Sequence, residues 1–379
     1  MKSLVVYAAS GCNLRCRHCA VGSDQATPRD SLSMDELVSI IEDAGRIGVQ
    51  FVTLIGGEVS YVHADLSPAL AAAERAGVTI SINTNLHFPD RIIPLLSYES
   101  MGNIAFSLDG ATAETNDRVR GKGSFAKALA ALEAIHASGR LGGHTTLDMN
   151  YTLNRINAPE AYEVIALANK LGVNKLNLAL TEPRDFAIRN SDLLTLHDEE
   201  LVNAFVSIIT MWRMHGETQL ETNIPPLFHR YYADRFGSSP FPANFDACGG
   251  TQVYGYVDAH GNHFPCPGMG FEHNRQPDSD RIFANVNTKS RRLDTIQREP
   301  VFADFDTARA SGELMADYFP CSACSFRAAC RPCTSSKLEG GAYRTQPLCE
   351  ALFKTADATV PGFTDRYFDE GTRLVDRLC

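Results

Sequence analysis

The chain has 379 residues and a formal net charge of −10, from 35 Lys and Arg against 45 Asp and Glu. Hydrophobic residues make up 44% and charged residues 21%, the balance of a globular chain, and such a length allows roughly two or three domains. The acidic balance argues against a nucleic-acid-coating surface, which needs net Lys and Arg to displace counterions. No apolar run reaches the roughly 18–20 residues of a membrane span. Neither nucleic acid nor a membrane is therefore expected as a partner. Leu4 to Ala9 is too short an apolar stretch for an export signal, so the expected address is the cytoplasm.

The apolar run Ser3–Ala8 predicts a buried strand. Ser33-Met34-Asp35-Glu36 reads as a capping box that opens a helix through about Gly48. Strand Phe51–Ile55, helix Asp65–Ala76 and strand Val78–Asn83 follow. A short helix near Arg91–Leu96 precedes strand Ile104–Ser107, then helix Phe125–Ser138 and strand Thr145–Leu153. Helix Pro159–Leu171 and strand Lys175–Leu180 complete six β-α repeats with short loops. That alternation predicts a parallel sheet with helices outside it. Six units fall short of the eight of a closed barrel, so the expected fold is α/β, a partial (β/α)6 barrel of TIM type, open on one side. Sites in such sheets gather at the C-terminal ends of the strands.

After about residue 183 the rhythm breaks. A helix is expected at Asp198–His215, then a stretch rich in Pro, Gly and aromatics. One hairpin is expected, Val253–Val257 with His263–Phe264, turning at Asp258-Ala259-His260-Gly261. The expected division is 1–225 for the barrel and 226–379 for a small, irregular, cysteine-rich α+β domain. The second part has little apolar periodicity, so bound metal would supply much of its stability.

Eleven cysteines without an export signal do not suit a disulfide framework, because the cytosol keeps thiols reduced. They cluster instead. Cys12, Cys16 and Cys19 open the chain, and none follows until Cys248. Then come Cys266, Cys321, Cys324, Cys330, Cys333 and Cys349, and Cys379 ends the chain. Clustered thiolates in a reducing compartment read as metal ligands. An iron–sulfur cube normally takes four thiolates, one per iron, so the first three leave one iron open. The competing reading is a zinc knuckle completed by His18, although structural zinc favours paired C-x2-C spacing.

The loop Gly11-Cys12-Asn13-Leu14-Arg15-Cys16-Arg17-His18-Cys19, directly after the first strand, resembles the radical S-adenosylmethionine (SAM) superfamily. The resemblance implies that the open iron binds the amino and carboxylate groups of SAM. It also implies that one electron splits the sulfonium C–S bond to give a 5′-deoxyadenosyl radical. His18 stands where the family usually has an aromatic residue near the adenine. Gly56-Gly57-Glu58-Val59 is similar to the family's "GGE" segment, which implies that Glu58 accepts from the SAM amine; Val59 replaces the usual Pro. Asn83-Thr84-Asn85 is similar to "TNG", with Leu86 in place of Gly. Ser107, in Ser107-Leu108-Asp109-Gly110, is implied to reach the ribose, and Arg120-Gly121 with Ser124-Phe125 matches an "RG…SF" stretch. Asn150 and Asn154 are further pocket candidates. Taken separately, each of these hydroxyls and amides is equally a cap or turn residue.

The later cysteines resemble the SPASM extension of radical SAM enzymes that mature peptides and proteins. Paired C-x2-C spacings also suit zinc ribbons. The family's crossed ligation implies one auxiliary [4Fe–4S] cluster on Cys321, Cys324, Cys330 and Cys349. It implies a second on Cys248, Cys266 and Cys333, with an open iron or a further ligand such as Asp246, His263 or Cys379. Arg331-Pro332 leaves two residues, not the usual three, between Cys330 and Cys333.

The function these features imply is reductive SAM cleavage, followed by hydrogen abstraction from a substrate C–H bond. The favoured substrate is a ribosomally made peptide or protein, oxidised or cross-linked. A small molecule such as an aminocyclitol or sugar is the alternative. Sulfatase-type formylglycine formation is disfavoured, because Pro267-Gly268 and no Asp follows Cys266. The expected partners are a flavodoxin- or ferredoxin-type electron donor and a separate leader-peptide-binding protein, since the first strand begins almost at Met1. A non-enzymatic iron–sulfur electron carrier is the reading of another class. Tyr254, Tyr256, Asp258 and His260 are candidates for a general base, which no motif identifies.

Overall fold

A computed structural model describes residues 1–23, 31–241, 248–273, 285–311, 319–330, 337–339, 342–343 and 347–368. Cys333, Cys379 and Asp246 lie outside the described residues.

The alternating pattern folds as six parallel strands, each joined to the next across the helical layer. They are β1 (Ser3–Ala9), β2 (Phe51–Gly56), β3 (Thr79–Thr84), β4 (Met101–Ser107), β5 (Thr146–Leu153) and β6 (Lys175–Leu180). The sheet does not stop there. β7 (Gln219–Thr222) adds parallel to β6, and β8 (Tyr254–Val257) adds parallel to the free edge of β1. β9 (His263–Phe264) closes the expected hairpin, giving the order β7-β6-β5-β4-β3-β2-β1-β8-β9. None of β7, β8 and β9 was foreseen as part of this sheet, because runs of two to four residues carry too little pattern to declare a partner.

Helix Met34–Arg46 shows why local chemistry sets its start. Ser33 Oγ accepts from Glu36 N while Glu36 Oε2 accepts from Ser33 N, so two otherwise orphaned amides are satisfied. Its Leu37, Ile40, Ile41 and Ala44 then face the sheet. The expected helix Pro159–Leu171 is split into a tight turn at Ala158–Glu160 and a helix at Glu163–Leu171. Helix Asp198–His215 has the expected bounds. Helix Pro226–Phe236, in the stretch read as irregular, was missed. Its Leu227, Phe228, Tyr231 and Tyr232 are all buried.

Strand alternation separates two faces. Leu4, Val6, Leu54, Ile82, Phe106 and Met149 pack with the helices into the main core. The other face is divided. Near β8, β1 and β2 it is apolar, with Val5, Tyr7, Ile55, Tyr256 and Phe264 in one cluster. From β3 to β6 it is polar. Ser81 Oγ donates to Asn103 Oδ1 (2.8 Å) and Asn177 Nδ2 to Asn150 Oδ1 (2.9 Å). Toward the strand N-termini, Lys175 Nζ bridges Asp148 (3.5 Å) and Glu221 (2.7 Å). Closed TIM barrels fill this space with branched apolar side chains. Half of it here is amide and hydroxyl.

Later segments pack onto the barrel. Asp43 Oδ2 accepts from Leu293 N (3.2 Å), and Leu293 is fully buried. Leu348, Ala351 and Leu352 of helix Pro347–Thr355 join the main core. Among the described residues no helix is long and apolar enough to cross a membrane.

Candidate functional site

β1 ends at Ala9, and the cysteine loop begins two residues later at the C-terminal edge of the sheet. The loop is held by backbone. Gly57 N donates to Ala9 O (2.6 Å) and Glu58 N to Gly11 O (2.9 Å). A Cβ at Gly56 would lie 2.0 Å from Ala9 O, and one at Gly57 would lie 2.2 Å from Gly11 O. No side chain fits there, so the Gly pair after β2 exists to let the two loops touch. On the other side Arg17 N donates to Val119 O (2.9 Å), and Phe186 N donates to Cys19 O (3.2 Å).

The thiols lie close enough to influence one another's charge. Burial pushes Cys12 up to about 11 and Cys16 up to about 12, and Arg120 pulls both back. Without metal these thiols are protonated, so loading a cluster must release protons. Leu14 N donates to Cys12 Sγ (3.4 Å), and Asn85 Nδ2 lies 3.9 Å from the same sulfur. Among the described residues, no three Cys, His, Asp or Glu groups converge to hold a single metal ion. A cube asks something different, one thiolate per iron, with N–H donors and positive charge to offset its own charge. The loop's donor set of three thiols, an amide N–H and a nearby guanidinium fits that group.

Glu58 is fully buried, and burial raises its carboxyl above the ordinary range. Oε1 accepts from Ser60 N (3.2 Å), Ser60 Oγ and Thr84 Oγ1 (2.9 Å), and Oε2 accepts from Asn85 N (2.6 Å). The carboxylate therefore caps helix Val59–Val62 and ties the β2 and β3 loops together. A carboxylate offers about four lone-pair sites, so the remaining acceptor capacity lies on Oε2. Beside it, Asn85 Nδ2 donates to Asn13 Oδ1 (2.8 Å), and Asn13 Nδ2 meets His87 Nδ1 at 2.8 Å. Leu86, where the resemblance has Gly, has φ +60° and is fully buried. The left-handed turn is thus kept without the residue that usually makes it cheap.

Asp109 was quoted from its motif without a role, and it is the hub of the site. Its side chain is 0% exposed and that of Arg120 is 10% exposed. Oδ2 lies 2.6 Å from Arg120 Nε and 3.3 Å from His18 Nε2, and Oδ1 accepts from Thr152 N (2.7 Å). Burial lowers the His18 pKa, and the Asp109 carboxylate partly opposes that. His18 is therefore turned onto Asp109, with Nδ1 buried and unpartnered among the described residues. The motif that named Arg120 gave it no role, and Asn13 and His87 were given none either. Only Asn13 lies beside the cysteines in sequence.

Asn83, Ser107 and Asn150 lie half-buried on the face away from the helices, Asn83 and Ser107 at the C-terminal ends of β3 and β4 and Asn150 in the second half of β5. Ser107 and Asn150 are direct register partners. Asn154 does not join them. It is buried, its Oδ1 accepts from Ile156 N (3.0 Å), and its Nδ2 donates to Thr152 O (3.0 Å), so it shapes the turn after β5. Asp258 likewise is a turn former, accepting from His260 N (2.9 Å) and Asn262 N (2.8 Å). Tyr256 is buried against Phe264, and burial raises its phenol above the ordinary range. His260 is exposed at the hairpin tip.

Among the later cysteines, the Cys321, Cys324 and Cys330 thiols lie within electrostatic reach of Cys349, whose own thiol burial pushes up strongly. Cys248 and Cys266 are buried, and Thr251 N donates to Pro265 O (3.1 Å), which sets their two segments side by side. His263 stacks on Phe302 (centroids 5.0 Å apart).

Compared with known families, residues 6–166 match the radical SAM superfamily. This stretch runs from β1 to the helix after β5 and includes the three-thiol loop, the Gly pair and Asp109. Residues 6–166 belong to the radical SAM superfamily. This chain is similar to the mycofactocin maturase MftC of Mycobacterium ulcerans, 31% identical over 68% of this chain and 65% of that protein. The match thus spans just under two thirds of that relative's length. It is similar to the PqqA peptide cyclase of Gluconobacter oxydans, 25% identical over 92% of this chain and 90% of that one. Its fold resembles Streptococcus suis SuiB bound to precursor peptide SuiA, with a TM-score of 0.66, 14% identity, and coverage of 92% and 75%.

Proposed function

We propose that this radical SAM protein is an enzyme that cleaves SAM reductively and uses the 5′-deoxyadenosyl radical to abstract a hydrogen atom from a substrate C–H bond. The observation that carries the reading is the cysteine loop, with three thiols clamped at the strand ends beside a chamber half lined with amides and hydroxyls. In this reading Cys12, Cys16 and Cys19 hold a [4Fe–4S] cluster with one open iron. When bound, the cluster supplies the electron that splits the sulfonium C–S bond. The Gly56-Gly57 backbone and Glu58 Oε2 receive the methionyl end of SAM. Asn83, Ser107 and Asn150 face the rest of it, and His18 is held near it by Asp109.

The substrate we propose is a ribosomally made peptide or protein, oxidised or cross-linked at a side chain. The similarity to a peptide cyclase and to a maturase supports this, as does the fold shared with a protein that binds a precursor peptide. Cys321, Cys324, Cys330 and Cys349 hold one auxiliary [4Fe–4S] cluster in this reading. Cys248, Cys266 and Cys333 hold another. Two such clusters near a substrate favour net oxidation, because they can accept the electron left after hydrogen abstraction. A flavodoxin- or ferredoxin-type donor and a leader-peptide-binding protein complete the system, in the cytoplasm, where thiols stay reduced.

Anaerobic reconstitution with iron, sulfide, dithionite and SAM tests the reading. The expected product is 5′-deoxyadenosine in wild type and none in Cys16→Ala, with the auxiliary iron retained. A zinc ion on the first three thiols, or loaded clusters without that product, refutes it in favour of a carrier. Mass spectrometry of incubations with small peptides encoded beside the gene then identifies the substrate. Turnover of a sugar or aminocyclitol in their place moves the substrate class to small molecules.

A further inference from the structure

The chain carries a net charge of −10, yet exposed Arg and Lys residues gather on and beside the cysteine loop. Arg15 and Arg17, between the thiols, are exposed, and so are Arg118 and Lys122 at the end of helix Ala113–Arg120. Arg189, on the strap formed by helices Asp185–Arg189 and Ser191–Leu194, is exposed as well. Backbone and ring contacts link the segments that carry Arg15, Arg17, Arg118 and Arg189. Arg17 N binds Val119 O, Asn190 Nδ2 donates to Arg17 O (3.3 Å), and the guanidinium groups of Arg15 and Arg189 lie 5.2 and 5.3 Å from the Phe186 ring. None of the five forms an ion pair among the described residues. Two nearby carboxylates are engaged: Glu182 pairs with Arg184, and Asp117 accepts from Gly123 N, Ser124 Oγ and Phe125 N. Glu114 and Asp192 are exposed.

The strap adds apolar surface to this charge. Ile188 is 38% and Leu193 45% exposed, next to the buried Phe186 whose amide binds the Cys19 carbonyl. An exposed apolar spot rimmed by cations that form no ion pair among the described residues, one hydrogen bond from a thiol-bearing residue, suits a partner that is acidic and brings a redox group close. We infer that this rim is the docking surface of an acidic electron-donor protein, a claim that rests on the function proposed above and adds where the donor sits. The donor would give up one electron there, to a cluster that the adjacent thiols would hold. Opposite charge steers encounter and orients the partner, while the apolar centre excludes water.

The test uses the full-length protein and an acidic flavodoxin as probe, with binding of the oxidised flavodoxin read from flavin fluorescence anisotropy over a range of NaCl. Wild type should bind, with affinity falling as salt rises, because exposed charges are screened beyond about 10 Å at 0.1 M. Arg15→Glu/Arg189→Glu should weaken binding about tenfold or more and flatten the salt dependence. Arg118→Glu/Lys122→Glu should do the same and is independent of the Phe186 packing. Lys170→Glu, exposed at the opposite end of the barrel, should change nothing. Equal binding and equal salt dependence in wild type and both double variants overturns the docking surface. Dithionite-driven 5′-deoxyadenosine formation reports separately on the underlying function. Its presence together with charge-insensitive flavodoxin binding removes the docking surface alone, whereas its absence in wild type removes the function and this inference with it.

Discussion

The two halves of the chain solve the same problem, holding thiols in place, by different means. In the barrel the cysteine loop is clamped by backbone hydrogen bonds, a Gly pair and the buried Asp109–Arg120 pair, above a continuous apolar core. The later cysteines sit on short pieces. Cys321 starts a three-residue turn, Cys349 lies in helix Pro347–Thr355, and Cys248 and Cys266 flank a short hairpin. The contacts that clamp the barrel loop are backbone hydrogen bonds, close glycine packing and an ion pair within the chain. The later sites are brought together by packing onto the barrel, and the proposed clusters would supply the rest of their order. The three-thiol loop, which in the function proposed above presents an open iron to a ligand, stands on the half with the continuous apolar core.

The largest expected effect separates the halves directly. Removing iron with a chelator under anaerobic conditions should abolish amide protection around residues 319–330 and 347–355 in hydrogen exchange. β1 to β6 should keep theirs. Uniform loss would show that the barrel, too, depends on metal.

Next in size is the barrel's own hub. Asp109→Asn leaves the Arg120 guanidinium buried without a counter-charge, which costs about 3–5 kcal/mol. Urea denaturation should report that loss, and Asp109→Leu/Arg120→Met should recover part of it, since an apolar pair replaces the stranded charge.

A smaller difference probes local strain in the barrel. Leu86→Gly loses a buried side chain but relieves a left-handed backbone that costs a non-Gly residue about 1–2 kcal/mol. Its destabilisation should therefore be less than that of Leu70→Ala, an equally buried leucine in helix Ser67–Ala76, by about 1 kcal/mol. A larger loss in Leu86→Gly would mean that the turn is held by packing alone.

A pH profile compares one histidine from each half. Burial pushes both His87 and His263 down to about 4 from an ordinary 6.5. Between those values the unfolded chain binds more protons than the folded one, so each group makes stability rise with pH across that window. Stability is lost as pH falls from about 6.5 toward 4, at up to about 1.4 kcal/mol per unit for each group. Thermal melts across this range should show a shallower slope for His263→Gln and for His87→Gln. An unchanged slope in one of them identifies the half whose histidine is already protonated.

Much was legible because it is local. The capping box of Ser33 and Glu36, the period-two apolar runs of β1 to β6 and the bounds of helix Asp198–His215 are set by neighbours in sequence. The three-thiol spacing and the Gly pair are local as well, so the site's place at the strand ends could be read without coordinates. What only tertiary structure decided is pairing across distance. β8 joins β1 although about 250 residues separate them. Asp109 engages His18 and Arg120, and Glu58 has most of its acceptor sites filled by Ser60, Thr84 and Asn85. Asn154 and Asp258, equally polar in the sequence, turn out to hold turns. Residue type fixes what a side chain can bond, but its partner depends on which groups are buried beside it, and burial is a property of the assembled fold.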